Sequence, residues 1–356
     1  MTVSSSKYLK TVFFLLIIFI VYWFIGIIRR IVSQEDGRRN ELVTLNDVAK
    51  KANVSKMTVS RVINHPEQVT DELKQLVFEA MQELNYRPNA AAKALANKRT
   101  QIIKLLILEE MDTTEPYYMF LLTGIANELD KHAYSLQLLT HRNIQIGDSD
   151  GYIVCGMRNK DIPLIQSLKK PTIIYGENEA GLDFVDSNNE ESMEKATEYG
   201  IKTNYDSIIY VGIDVDEPFA HSRELGYVKA MERSGKEPVI YRLKNRSRYS
   251  ANFIKENWDS FSPNTLFICA SDRLGLGIIR EIKEQGGDIP NDYGVIGHDG
   301  VFLDQIAFPH LTTLKQATTE MGAACARMVL NKVKENGKEQ GNQLFETELK
   351  IGGTTR

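Results

Sequence analysis

From Gln101 onward the chain alternates short apolar runs with amphipathic stretches of helical period, and this alternation limits the fold more than any other feature of the sequence. The apolar runs lie at 102–108 (IIKLLIL), 134–140, 151–155, 172–176, 207–213, 238–243, 265–270 and 293–297. Helical spacing occupies roughly 117–131, 189–202, 219–234, 273–286 and 318–335. Strands without a polar face need cover on both sides, and intervening amphipathic helices supply it, so the pattern predicts parallel α/β sheets. About nine strands over some 250 residues predict two such sheets, with ligands bound beyond the carboxyl ends of the strands.

Charge separates this body from what precedes it. Residues 100–356 hold 28 Lys/Arg against 38 Asp/Glu, a balance of −10. Residues 38–99 hold eleven against seven, a balance of +4, and residues 1–37 four against two. A basic front on an acidic body is the arrangement expected when a polyanion meets one end only. The bulk composition, 42% hydrophobic and 25% charged, excludes collagen-like, coiled-coil and wholly disordered chains. Cys155, Cys269 and Cys325 are too few and too scattered for a disulfide framework or a zinc site, and suit a reducing compartment.

Val12 to Ile28 (VFFLLIIFIVYWFIGII) is uncharged over seventeen residues, the lower limit for a membrane-spanning helix. Lys7 and Lys10 precede it, while Arg29, Arg30, Arg38 and Arg39 follow. The positive excess on the C-terminal side predicts a single-pass tether in 1–42 with the rest of the chain in the cytoplasm. Two alternatives stand beside it. A cleaved signal peptide is disfavoured because RRIVSQ after Ile28 offers no small-x-small site. Synthesis from near Leu42 or Val43 would instead leave the whole protein cytoplasmic.

Between 43 and 99 the period is helical throughout. Thr44 opens TLNDVAKKA with Asp47 three residues on, a variant capping box. Leu45, Val48 and Ala49 share a face, and Asn53-Val54 breaks the pattern at a residue tolerant of left-handed backbone. Ser55 caps a second helix, SKMTVSRVIN, with Val59, Val62 and Ile63 inward and Lys56, Met57, Thr58, Ser60 and Arg61 outward. A third helix runs from Asp71 to Leu84, with Leu73, Leu76, Val77, Ala80 and Leu84 apolar. Two short helices about a tight turn, the second opening on exposed polar residues, suit major-groove entry. A plain three-helix bundle fits the periodicity equally well.

The residues from Val43 to Thr100 resemble the DNA-binding headpiece of the LacI/GalR family of transcriptional regulators. The likeness runs through the T-L-x-D-V-A-x-x-A start, the V-S-x-x-T-V-S-R-V recognition helix and the N-Y-x-P-N-x-x-A-x-x-L hinge. Asn53 departs from the family's usual Gly. The resemblance implies base contacts by Lys56, Met57 and Arg61, with Arg61 suited to bidentate guanine recognition and Met57 to a thymine methyl. Thr44, Ser55, Thr58, Ser60 and Asn64 are then phosphate contacts, which set register. A hinge helix over about 89–97 would begin after Pro88 at Asn89, and Leu95 would be a minor-groove wedge. The headpiece so read spans 43–99.

The body, 100–356, resembles the same family's effector-binding and dimerisation domain, a two-lobed core of periplasmic-binding-protein type. HSRELGYVKAM (221–231), FICASDRLGLGIIREIKEQGGDIPNDYGVIGHDG (267–300) and FPHLTTLKQ (308–316) carry the likeness. It weakens before Ser207, where the stretch after Thr140 is too short for the family's second crossover helix. By resemblance Arg223 is the effector-binding arginine, with Asp272 and Asp299 opposite it. Asp186, Phe219 and Tyr117 are further candidates at predicted strand or loop ends. One Arg with two Asp suits a neutral polyol such as a sugar. His298 stands where the family has Phe or Tyr and reads as a packed aromatic substitute.

The six His show no HxxxH or HExxH spacing, and no G-x-S-x-G, P-loop or dinucleotide fingerprint occurs in a suitable context. No catalytic group, metal or cofactor is therefore expected. The expected fold is an all-α helix-turn-helix headpiece on a two-lobed α/β core, with an N-terminal transmembrane helix. The expected function is a sequence-specific transcriptional repressor, a homodimer on double-stranded operator DNA, controlled by a sugar. EPYYM, EPF, FPHLTT and GGTTR lean toward the regulators of galactose and β-galactoside use. The alternative is a membrane-anchored sugar-binding sensor.

Overall fold

The computed structural model describes residues 43–64, 66–86, 99–109, 116–140 and 147–356. They belong to two compact units that divide between Lys93 and Ala94.

The first unit is three helices, α1 (Leu45–Lys51), α2 (Lys56–Asn64) and α3 (Asp71–Glu83), with a 3-10 turn at Pro66–Gln68. Asp47 closes the start of α1 by accepting from the Thr44 backbone N–H at 2.9 Å and from the Thr44 hydroxyl at 2.6 Å. Asn53 takes φ 52°, the left-handed value that lets the chain reverse between α1 and α2. The Ser55 hydroxyl then accepts from the Thr58 N–H at 3.0 Å and caps α2. Val48, Ala49, Ala52, Val59, Val62, Val77 and Ala80 form the core, with Leu45, Val54, Ile63 and Leu84 packed against it. Leu76 departs from the expected inward set: it is 48% exposed, since α3 turns only its Val77–Ala80 stripe toward α1 and α2.

The second unit has two lobes, each built on a six-stranded sheet. The first sheet joins β1 (Ile102–Ile107), β2 (Ser135–Thr140), β3 (Gly151–Cys155), β4 (Thr172–Tyr175), β5 (Phe184–Ser187) and β11 (Gln343–Phe345). Their order is β11-β5-β4-β3-β1-β2, parallel throughout. The second sheet joins β6 (Ser207–Ile213), β7 (Val239–Leu243), β8 (Thr265–Cys269), β9 (Tyr293–Asp299), β10 (Thr312–Lys315) and β12 (Glu348–Lys350) in the order β12-β10-β9-β8-β6-β7. Only β12 runs antiparallel. Leaving aside β11 and β12, each lobe repeats one doubly wound order, which leaves a crevice at the carboxyl edge of each sheet.

Three crossings link the lobes. After β5 the chain enters α6 (Asn189–Lys202), which packs on α7 (Pro218–Arg233) of the second lobe. After β10 it returns through α11 (Thr318–Lys334), which packs on α4 (Tyr117–Asp130) and on β3, β4 and β5. It crosses again between β11 and β12. The first core sets Ile103, Leu105 and Ile107 against Leu121, Ile125 and Leu129 of α4 and Met321, Cys325 and Val329 of α11. The second gathers Tyr210, Tyr227, Phe267, Ile268, Leu274, Ile278 and Val295.

Two features differ from the sequence expectations and one agrees with them. Strands β5, β10, β11 and β12 were not foreseen: they are three or four residues long and each includes polar residues, so hydropathy does not mark them. Between β2 and β3 no helix occurs among the described residues, in keeping with the short stretch after Thr140. The transmembrane helix expected over 12–28 is withdrawn from the fold class. Those residues lie outside the described ones, and no described helix is long and apolar enough to cross a membrane. The fold is the helical headpiece and the two-lobed core.

Candidate functional site

Two surfaces carry the expected site residues. On the headpiece, the inward positions of α2 are Val59 and Val62, each at most 1% exposed. Helical period then places the residues between them outward: Lys56, Met57 and Arg61 are exposed, and Thr58 and Ser60 half-buried. Met57 is 69% exposed at the start of the helix. Thr44 and Ser55 sit at the N-termini of α1 and α2, where N–H groups and helix dipoles favour phosphate. Asn89, Leu95, the hinge helix and the Asn64 side chain lie outside the described residues.

The second surface is a cleft of about 940 Å³ within the two-lobed unit. Most residues lining it stand at, or just beyond, the carboxyl end of a strand: Glu109 after β1, Cys155 in β3, Tyr175 in β4, Asp186 in β5, Ile213 in β6, Asn245 after β7, Ser271 after β8, Asp299 in β9 and Gln316 after β10. Of the six expected effector residues, Arg223, Asp299, Asp186, Phe219 and Tyr117 meet there.

Arg223 reaches the cleft from the second turn of α7 and is only 6% exposed. Its Nε donates to Asn189 Oδ1 at 2.8 Å and its Nη1 to the Ala270 carbonyl at 2.6 Å, while the Phe219 ring lies 5.1 Å from the guanidinium carbon. Asn189 passes the link on, donating to Asp186 Oδ2 at 3.1 Å. Asp186 also accepts from the N–H groups of Glu177 and Ser187, and burial raises its carboxyl above the ordinary range. The arginine is thus fixed at one angle, an arrangement that orients a ligand's hydroxyls instead of following them.

Asp299 closes β9 at φ 127°. Gln316 Nε2 donates to it at 2.9 Å, and Gln316 Oε1 accepts from the Ser187 and Tyr117 hydroxyls at 2.8 and 3.3 Å. Tyr117 and Tyr175 share a 2.6 Å hydroxyl contact. Ser187 and Gln316 each sit on a segment joining the lobes, so the cleft's polar floor is wired to two crossings. Burial pushes the Asp299 carboxyl up to about 6 despite the nearby Arg223. His298 beside it is wholly buried, and burial together with Arg223 holds it well below its usual range, hence neutral. That fits the packed-aromatic reading of this position.

Asp272 is placed differently from the expectation. It is wholly buried below the cleft lining, its oxygens accepting from the Thr313 hydroxyl at 2.5 Å and the Gly300 N–H at 2.8 Å. It ties the ends of β9 and β10 together, and no atom of it lines the cavity. Nor does it cap the following helix, α9 (Asp272–Glu284): the Ser271 hydroxyl does, accepting from the Leu274 N–H. Sequence reasoning missed Glu109, Tyr118, Tyr175, Glu177, Glu217, Asn245, Ser271 and Gln316. The strand-end rule carries a signal for most of them, since they follow predicted strands by at most two residues.

Comparison with known proteins agrees with this geometry. Residues 44–89 match the bacterial regulatory proteins, lacI family, and residues 197–355 the periplasmic binding protein-like domain. The HTH-type transcriptional regulator YvdE of Bacillus subtilis (strain 168) is 52% identical over 315 residues, 88% of this chain and 100% of that protein. Among solved structures, the lac repressor dimer bound to operator and the anti-inducer ONPF is similar with a TM-score of 0.69 at 23% identity, covering 88% of this chain and 99% of that one. The regulator CelR in complex with cellobiose is similar with a TM-score of 0.64 at 24% identity, with the same coverage.

Proposed function

The chain belongs to the lacI family of bacterial regulatory proteins, and we propose that its cleft takes a sugar whose binding releases a repressing dimer from its operator. It is a transcriptional regulator with a helix-turn-helix DNA-binding domain and a separate ligand-binding domain, in a family of regulators, not enzymes.

The observation that carries the sugar reading is the set of groups meeting at the strand ends. Arg223 and Asp299 supply a donor and an acceptor held by other side chains, while Tyr117, Tyr175 and Phe219 supply flat apolar faces. A pyranose offers the matching surfaces, hydroxyls at its rim and C–H groups on its faces. The cellobiose bound by the CelR relative supports the same class.

On the headpiece, Arg61, Lys56 and Met57 read base edges, while Thr44, Ser55, Thr58, Ser60 and Asn64 hold phosphates. Two copies of the chain present two headpieces to a pseudo-palindrome. Exposed Phe302, Ile306 and Phe308, at 46, 56 and 82%, support pairing of the ligand-binding domains. Ligand favours one arrangement of the lobes, and the crossings at Ser187 and Gln316 are where that preference enters the rest of the chain. The membrane-anchored sensor is not favoured, because a solute sensor has no use for an intact headpiece of this family.

The test is a thermal-shift screen of the full chain against neutral mono- and disaccharides, followed by operator-fragment binding with each hit. A sugar that raises the melting temperature and releases DNA is the expected result. Hits confined to non-sugar ligands would overturn it.

A further inference from the structure

The charge of the cleft goes beyond its identification as a sugar site. Five carboxyl side chains line it: Glu109, Glu177 and Asp186 from the first lobe, Glu217 and Asp299 from the second. Arg223 is the one cation lining it among the described residues, and two of its N–H groups are already committed to Asn189 and Ala270.

The carboxylates are not arranged as a cation cage. Glu217 accepts from Arg158 Nε at 3.1 Å, and Glu177 from the Ser222 hydroxyl at 2.9 Å, so each takes part in a contact between lobes at the cleft wall. Glu109 accepts from the Tyr118 hydroxyl at 2.5 Å. Burial, with the Glu109 charge adding to it, raises the Glu217 carboxyl despite Arg158, so the two acids sense each other across the opening.

A helix N-terminus is the usual seat for a phosphate, and three of those beside this cleft are closed to one. Helix α7 begins at Pro218, which has no N–H to give, with Glu217 immediately before it. The start of α9 is closed by the Ser271 hydroxyl and by Asp272. That of α6 is closed by the Asn188 side chain, which accepts from the Glu191 N–H.

We propose that the cleft sorts ligands by charge, admitting neutral ones and rejecting their phosphorylated forms, and that Glu109, Glu177 and Glu217 impose this rule. A phosphate dianion in the cleft would face several like charges in a partly dewatered space, with Arg223 already committed and Arg158 already paired to Glu217. Discrimination of about a hundredfold is the expected scale for such a built-in repulsion. The choice of sugar probes rests on the function proposed above; the charge rule does not.

The experiment is calorimetry on the full chain with four pairs: galactose, glucose, ribose and adenosine, each beside its terminal phosphate ester. Each neutral member that binds should do so about a hundredfold more tightly than its ester. Glu109→Gln with Glu217→Gln should close at least tenfold of that gap. An ester binding as tightly as its parent overturns the charge rule and leaves the sugar reading standing. Binding of adenosine alone, with its ester rejected, upholds the rule and overturns the sugar reading.

Discussion

Replacing Asp299 by Asn should stabilise the ligand-binding domain at neutral pH while weakening its response to ligand. Burial lifts the Asp299 carboxyl from an ordinary 3.8 to about 6, so folding favours its protonated form. Its contribution to stability is full below pH about 4 and is lost as pH rises through about 6. That shift is worth about 3 kcal/mol at pH 7, at 1.36 kcal/mol per unit. Asn keeps the shape of Asp at this position but carries no charge to bury. It also relieves Asp272, whose carboxyl is raised first by burial and next by the Asp299 charge. Thermal unfolding of the full chain and the variant from pH 4 to 8 should therefore show curves that coincide at the acid end. They should separate between about pH 4 and 6 and stay apart above that, with the variant higher by roughly 5–10 °C for a domain of this size. Calorimetry with the ligand should show weakened binding, the common cost of removing a strained functional group. A variant less stable at pH 7, or a difference constant from pH 4 to 8, would refute the reasoning.

Other substitutions probe other parts of the argument. Arg61→Ala should relax operator preference at one base pair by about 1–3 kcal/mol, seen in binding to a library of operator variants. Gly226→Ala should destabilise by about 1–3 kcal/mol in denaturant unfolding, because a Cβ there would lie 2.0 Å from the Glu190 carbonyl where α6 and α7 touch. Tyr227→Phe should cost about 1–3 kcal/mol in the same assay. Its hydroxyl donates to the Ile208 carbonyl at 2.9 Å and accepts from the Val239 N–H at 2.9 Å, and Phe can replace neither bond.

What the sequence determined by itself is what local physics and pattern can carry. Period and capping give the headpiece: Asn53 is left-handed, Ser55 caps α2, and Val59 and Val62 point inward because helical spacing leaves them no other choice. Long apolar strands with amphipathic helices between them give two parallel sheets, and the family likeness picked out Arg223 and Asp299. Tertiary structure decided the rest. Hydropathy is blind to β5 and β10, four-residue strands of mixed polarity whose ends nonetheless carry Asp186 and precede Gln316. Only the fold shows that Asp272 spends its charge on Gly300 and Thr313 beneath the cleft, while Glu109, Glu177 and Glu217, remote in sequence, face one space. The physical reason is one of range. A cap or an apolar stripe is settled within a few residues, but the charge of a cleft sums side chains from several strand and helix ends that only the closed topology brings together.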